Sequence, residues 1–172
     1  MENKESIREL LQNHSFLADA IALEQFIARW KLGTLPKRFW THAAHVGVAA
    51  YFAFDEDHER TFAILRDGIR HYNTCVGTAN TEDSGYHETL TGFWAAEVGR
   101  LVRSRSFQSR LDAVRAAVTA FGEDKYRFRG YYSFDVVTNR RARREWIEPD
   151  LKPIAEASKD TNGALRVPDD SL

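Results

Sequence analysis

Apolar residues recur along this chain at intervals of three and four, the spacing of one helix face, and no run alternates for long at the strand period. Phe16, Ala20, Leu23, Ile27 and Trp30 form the first long stripe. They predict a helix over 16–32, capped by Ser15 and stopped at Gly33. A shorter helix is expected before it, over 5–12. The next helix is expected over 38–54; from Val46 to Phe54 it is apolar on every side, the mark of a helix enclosed by its neighbours. Residues 56–76 carry the stripe Phe62, Leu65, Ile69 and Val76 and stop at Gly77. The stretch 77–85 reads GTANTEDSG, which is loop chemistry. Ser84 or Asp83 is then placed to cap a helix over 86–102, whose stripe is His87, Leu90, Trp94, Val98 and Leu101. A further helix is expected over 107–121 and a short one over 139–146. Between them Tyr126, Phe128, Tyr131, Tyr132 and Phe134 crowd together without helical period, as a packing cap over one end of the fold. The pattern predicts an all-α fold: an up-and-down bundle of about four main helices with one or two flanking helices. It divides the chain into a single helical domain, 1–156, and a mobile polar C-terminal tail, 157–172.

Composition narrows the class without naming a function. The 172 residues are 43% hydrophobic and 28% charged with a net charge of −1, a globular balance with no global field for nucleic acid or an anionic membrane. No apolar run approaches the roughly 20 residues of a membrane span, and no signal-peptide pattern opens the chain. A single cysteine, Cys75, excludes an internal disulfide and suits a reducing compartment, so the cytoplasm is the expected location. Cys75 itself reads as a small buried hydrophobe. A homo-oligomer is compatible with everything above.

Candidate chemistry concentrates on histidines. His42 and His45, spaced i, i+3, project from one face of the predicted 38–54 helix, and that face continues through Ala49 and Phe52 into the core seam. Imidazoles on a seam are costly unless their nitrogens are satisfied, and a metal ion does so directly. His87 heads the apolar stripe of another helix, where the helix dipole favours the neutral ring that a metal ligand requires. Glu88 points about 100° away around that helix, better placed to support a ligand or act as general base than to bind the same ion. Asn73 lies on an apolar stripe and should hydrogen-bond inside the bundle. The di-iron Glu-x-x-His pairing and the His-Glu-x-x-His motif are both absent, leaving a mononuclear histidine site as what the residues permit. The basic run 140–144 suggests phosphate contact in isolation, but with net charge near zero it reads as a solvated helix face answering Asp135, Glu145 and Glu148.

Several of these segments also follow a recognisable order. Trp40-Thr41-His42-Ala43-Ala44-His45-Val46, Gly68-Ile69-Arg70, Tyr72-Asn73, Gly85-Tyr86-His87-Glu88-Thr89-Leu90-Thr91, Tyr131-Tyr132-Ser133 and Trp146-Ile147-Glu148-Pro149-Asp150-Leu151 together resemble a family of small, uncharacterised bacterial proteins. Those proteins share a W-T-H-x-A-H-L block and a G-Y-H-E-T-[LI]-T block. The resemblance spans residues 34–154 and implies that His42, His45, His87 and Glu88 belong to the family's own pattern. It implies no activity. Val46 in place of Leu, an arginine-poor 128–133 segment and an unusually basic 139–144 stretch depart from the family.

The expected function is a small metal-dependent enzyme acting on a small organic molecule by oxidation or hydrolysis. His42, His45 and His87 would bind a divalent transition metal; iron, zinc and copper all accept imidazole. Glu88 would move a proton or orient a ligand, and Asn73, Tyr86 and Tyr132 would line the pocket. The rival reading is a non-catalytic helical module whose histidines are hydrogen-bonded in the core and whose partner is a small molecule or protein.

Overall fold

Each helix begins where a side chain intercepts an orphan backbone amide, and those interceptions set the boundaries of the fold. The computed structural model describes residues 14–154; the helix expected over 5–12 and the 157–172 tail lie outside the described residues. The α-helices are α1 (Ala20–Lys31), α2 (His42–Ala53), α3 (His58–Cys75), α4 (Glu88–Arg103), α5 (Arg110–Phe121) and the short α6 (Arg140–Arg144), with no strand among the described residues. Asp19 accepts from the Ala22 amide at 2.8 Å, Asp57 from Arg60 at 2.8 Å and Ser109 from Asp112 at 3.1 Å. α1 therefore starts later than the apolar stripe suggests. Ser15 opens a separate 3-10 turn, Ser15–Leu17, and Asp19 caps the helix. Likewise the expected 38–54 helix breaks in two. Lys37–Phe39 forms a 3-10 turn, and Thr41, accepting from Ala44 at 3.3 Å, starts α2.

α2 is the axis of the molecule. From Val46 to Ala53 every residue is buried, as its unbroken apolar run requires. It packs most extensively on α5, then on α4, with α3 also against it. The helix expected as a flank, α5, is thus a full member of the core, because Ala113, Val114, Ala117 and Val118 present a face small enough to sit close to α2. No helix among the described residues is long and apolar enough to cross a membrane.

A second, smaller core covers the outer side of α4. Phe93, Phe128, Tyr131, Tyr132, Val136 and Ala142 are buried together there, so the aromatic segment after α5 does pack as a cap. Its ring pairs are edge-on, Phe93 against Tyr131 at 4.9 Å and Tyr132 against Phe134 at 5.6 Å between centroids. This arrangement closes one end of the space between α2, α3 and α4.

Candidate functional site

In that space lies a cavity of about 310 Å³ whose lining includes His42, His45 and His87. Its walls are otherwise mainly aromatic and aliphatic, with Trp40, Trp94, Tyr86, Phe128, Leu65 and Ile69 around the imidazoles and Lys125 the one charged side chain among the described residues that line it. This is the composition of a small-molecule pocket: apolar walls with a few placed polar groups.

Each histidine is tied down by a backbone carbonyl. A carbonyl oxygen only accepts, so the ring nitrogen facing it must carry the proton, and that fixes the tautomer. His42, the first residue of α2, donates from Nε2 to the Phe121 carbonyl at 3.0 Å, pinning the start of α2 to the end of α5. His45 donates from Nδ1 to the Thr41 carbonyl at 2.8 Å and lies against the Trp40 ring at 3.9 Å between centroids. His87 donates from Nε2 to the Val136 carbonyl at 2.9 Å, while its Nδ1 accepts from the Leu90 amide at 3.3 Å.

His87 therefore has neither ring nitrogen free. It is not in the first turn of its helix, as its apolar stripe suggests, but is the N-cap of α4, where its Nδ1 does the work usually done by a Ser or Asp oxygen. Ser84 and Asp83 do not cap the helix, because Gly85 takes a left-handed turn (φ +78°) and redirects the chain. An added Cβ there would collide with the Ala79 carbonyl. His42 Nδ1 and His45 Nε2 remain as the two ring nitrogens on the cavity without a hydrogen-bond partner among the described residues. Among the described residues no three His, Cys, Asp or Glu side chains are grouped to hold a metal ion.

Burial keeps these rings neutral. It pushes His45 down to about 4, with the Thr41 carbonyl opposing and His42 adding to the shift. His42 is lowered by burial too, but the Phe121 carbonyl, Asp124 and Glu123 pull the other way and Lys125 works against them. His87 is lowered by burial, with Arg143 reinforcing the shift.

The other expected site residues separate. Tyr86 lines the cavity, and its hydroxyl donates to Glu88 Oε2 at 2.9 Å; burial, then Glu88, raises its pKa, so the phenol keeps its proton. Glu88 does not line the cavity. It is buried in an ion pair with Arg66, whose Nε donates at 3.0 Å, and Arg70 approaches at 3.8 Å. Its direct contact is with Tyr86, which makes it a positioning group. Asn73 also lies outside the lining. It donates to Asn80 Oδ1 at 2.8 Å, and the same oxygen accepts from the Tyr86 amide at 3.0 Å, so Asn73 braces the loop behind the cavity. Tyr132 is buried in the outer core and donates to the Ile147 carbonyl at 3.0 Å.

The basic run has a structural role that its composition hides. Arg140 pairs with Asp83 at 3.0 Å and Arg144 with Glu82 at 2.8 Å, while Arg143 donates to the Gly85 and Tyr86 carbonyls at 3.2 Å each. Of the acids expected to answer the run, Glu145 pairs with Arg141 at 3.0 Å, and the loop acids 82 and 83 supply the rest. α6 thus clamps the loop that delivers Tyr86 and His87. Cys75 is exposed rather than buried, with His71 Nε2 at 3.5 Å from its sulfur, and neither residue is in the cavity lining.

Trp40, Trp94 and Lys125 line the site without having been singled out for it. Trp40 had a signal, standing two residues before the His42-x-x-His45 pair; Lys125, on an irregular segment, had none. No protein-family model, curated protein or solved structure matches this chain.

Proposed function

We propose that the 310 Å³ cavity is the functional site of a small enzyme that binds a flat, mostly apolar organic molecule bearing a hydroxyl or N–H group, and moves a proton on it. The observation that carries this is that two neutral imidazoles, His42 and His45, share one aromatic-walled cavity, each with one nitrogen unengaged among the described residues. The two have different parts. His45, held near pKa 4, is too weak a base to keep a proton at neutral pH and serves as a fixed hydrogen-bond acceptor. His42 is also lowered by burial, but the Phe121 carbonyl, Asp124 and Glu123 oppose that burial in part, and it is the group to take the proton. Tyr86, its proton held by Glu88, closes one wall.

A second reading keeps the metal of the sequence expectation but reduces its ligands to two. A ring N–H held by a backbone carbonyl is how proteins orient metal-binding histidines, and His42 and His45 both have it. The ion would take Nδ1 of His42 and Nε2 of His45, with water or substrate completing its shell and His87 excluded by its cap.

Titration of phenol and indole into 15N-histidine-labelled protein, first metal-free and then with Zn²⁺, tests both readings. The first expects saturable shifts at His42 Nδ1 and His45 Nε2 with the probe alone, none at His71, and loss of binding when Leu90→Trp fills the cavity. Shifts produced by Zn²⁺ alone at the same two nitrogens favour the second. Probe binding that ignores both the histidine nitrogens and Leu90→Trp sinks the assignment of the cavity.

A further inference from the structure

A second cavity of about 450 Å³ lies on the other side of the α2 N-terminus, with Thr41 in its wall. Its charge is one-sided. Arg29 and Arg38 line it, with His14 and Gln25, and no acidic residue is in its lining among the described residues. Its apolar walls are Phe16, Phe26, Leu35 and Phe39.

Both arginines rise from ordered backbone. Arg29 sits near the end of α1, where its own carbonyl accepts from the Thr34 and Leu35 amides at 2.9 and 3.2 Å and so anchors the turn beside it. Arg38 belongs to the 3-10 turn that follows Pro36, and its guanidinium lies over the Phe39 ring at 4.6 Å. Neither arginine has an ion-pair partner within 4.0 Å among the described residues. Among the described residues Arg60, Arg103, Arg105 and Arg129 share that lack, Arg115 and Arg143 donate to backbone carbonyls, and Arg66, Arg110, Arg127 and Arg140 each hold a carboxylate; of those without an ion pair only Arg29 and Arg38 face one cavity together.

We infer that this cavity is a second, separate binding site, for a small organic anion whose phosphate or carboxylate is held by Arg29 and Arg38 and whose apolar body packs against Phe26 and Phe39. A planar guanidinium presents paired donors matched to either anion, which lysine does not. The volume decides against a bare inorganic anion as the intended occupant, since four apolar walls around 450 Å³ would be left facing water. Burial lowers the pKa of His14, so it contributes a neutral imidazole, and the positive field comes from the two arginines. The site is independent of the imidazole cavity and needs none of its chemistry.

The test uses the full chain with phenyl phosphate, benzoate and inorganic phosphate, read by calorimetry and by the Nε–Hε resonances of the arginines. Phenyl phosphate or benzoate is expected to bind at least tenfold tighter than inorganic phosphate, to shift Arg29 and Arg38, and to weaken as salt rises. Whichever of the two organic anions binds tighter identifies the headgroup. Arg29→Gln and Arg38→Gln should each cut that affinity by roughly tenfold or more, the loss expected for one charged hydrogen bond. Both positions are exposed, so folding should survive and circular dichroism checks it. Leu90→Trp, which fills the imidazole cavity and touches no residue lining this one, should leave binding unchanged. Absence of binding by both organic anions, equal affinity for inorganic phosphate, or indifference to both substitutions overturns the inference.

Discussion

Glu88→Gln separates a structural carboxylate from a catalytic one. The substitution keeps size and shape and removes the charge. In the native protein Glu88 is 7% exposed, accepts from Arg66 Nε at 3.0 Å and also from its Nη2, and accepts from the Tyr86 hydroxyl at 2.9 Å. Breaking a fully buried ion pair costs about 3–5 kcal/mol. Arg66 is 35% exposed, however, and can turn to water once its partner is neutral, so the loss should fall below that range. One charged hydrogen bond contributes about 1.5–3 kcal/mol, and the new amide must also point its NH₂ at a donor, Arg66 or Tyr86. The expected cost is therefore about 2–3 kcal/mol, or a fall in Tm of roughly 4–12 °C for a domain of this size. Urea unfolding followed by tryptophan fluorescence and far-UV circular dichroism measures it. A double-mutant cycle with Tyr86→Phe should give a coupling of at least about 0.5 kcal/mol. A loss under about 0.5 kcal/mol would show that Arg66 and Tyr86 do not depend on Glu88. Glu88 would then return as a candidate for proton transfer.

Other outcomes follow from the same geometry. His87→Ala removes the α4 cap and the partner of the Val136 carbonyl together, so it should cost about 1–3 kcal/mol in urea, with His87→Asn recovering part of it; equal losses for the two variants would refute the cap. Because His45 is held at about 4 against an ordinary 6.5, the unfolded chain binds a proton between those values that the folded protein refuses. Stability should therefore be complete above pH 6.5 and fall as pH drops toward 4, by about 3 kcal/mol from this group at 1.36 kcal/mol per unit. Urea midpoints across that range should show the slope, and His45→Gln should flatten it; an unchanged slope would mean that the folded protein lets the ring take up its proton as readily as the unfolded chain does. Nitrogen-15 spectra at pH 7.5 should find the proton on Nε2 of His42 and Nδ1 of His45, and the opposite tautomers would overturn the assignment of free nitrogens. Gly85→Ala should cost more than 1 kcal/mol through its φ of +78° and the Ala79 carbonyl, and a neutral result would show that the loop can rearrange.

Helix identities were readable because burial follows the 3.6-residue period, and α2 was readable as the axis because it has no polar side. Boundaries were less so, since competing caps lie close together: Ser15 and Asp19 are both good caps, and Asp19 caps α1 while Ser15 begins a separate 3-10 turn. The stripe positions of His42, His45 and His87 point toward one cavity, yet the use of each nitrogen was invisible. It depends on carbonyls brought from 79 residues away for His42 and 49 for His87. A histidine as N-cap is also rare enough that the sequence pattern favours Ser84 or Asp83 until the turn at Gly85 is seen. The arginine run shows the same limit in reverse. Its charge was plain, but apart from Glu145 the acids it answers lie in a loop more than fifty residues earlier, Arg140 reaching back 57 and Arg144 reaching back 62.

That long reach has a consequence for how the site comes into being on a ribosome. α1 to α5 can emerge and dock before residues 140–144 exist, leaving the segment that bears Tyr86 and His87 without its clamp and His87 without the Val136 carbonyl. The pocket is then the last part of the molecule to mature. By the same logic, a protease cut between Gly130 and Arg140 should loosen the pocket before it unfolds α2 and α5, whose packing on each other does not pass through that strap.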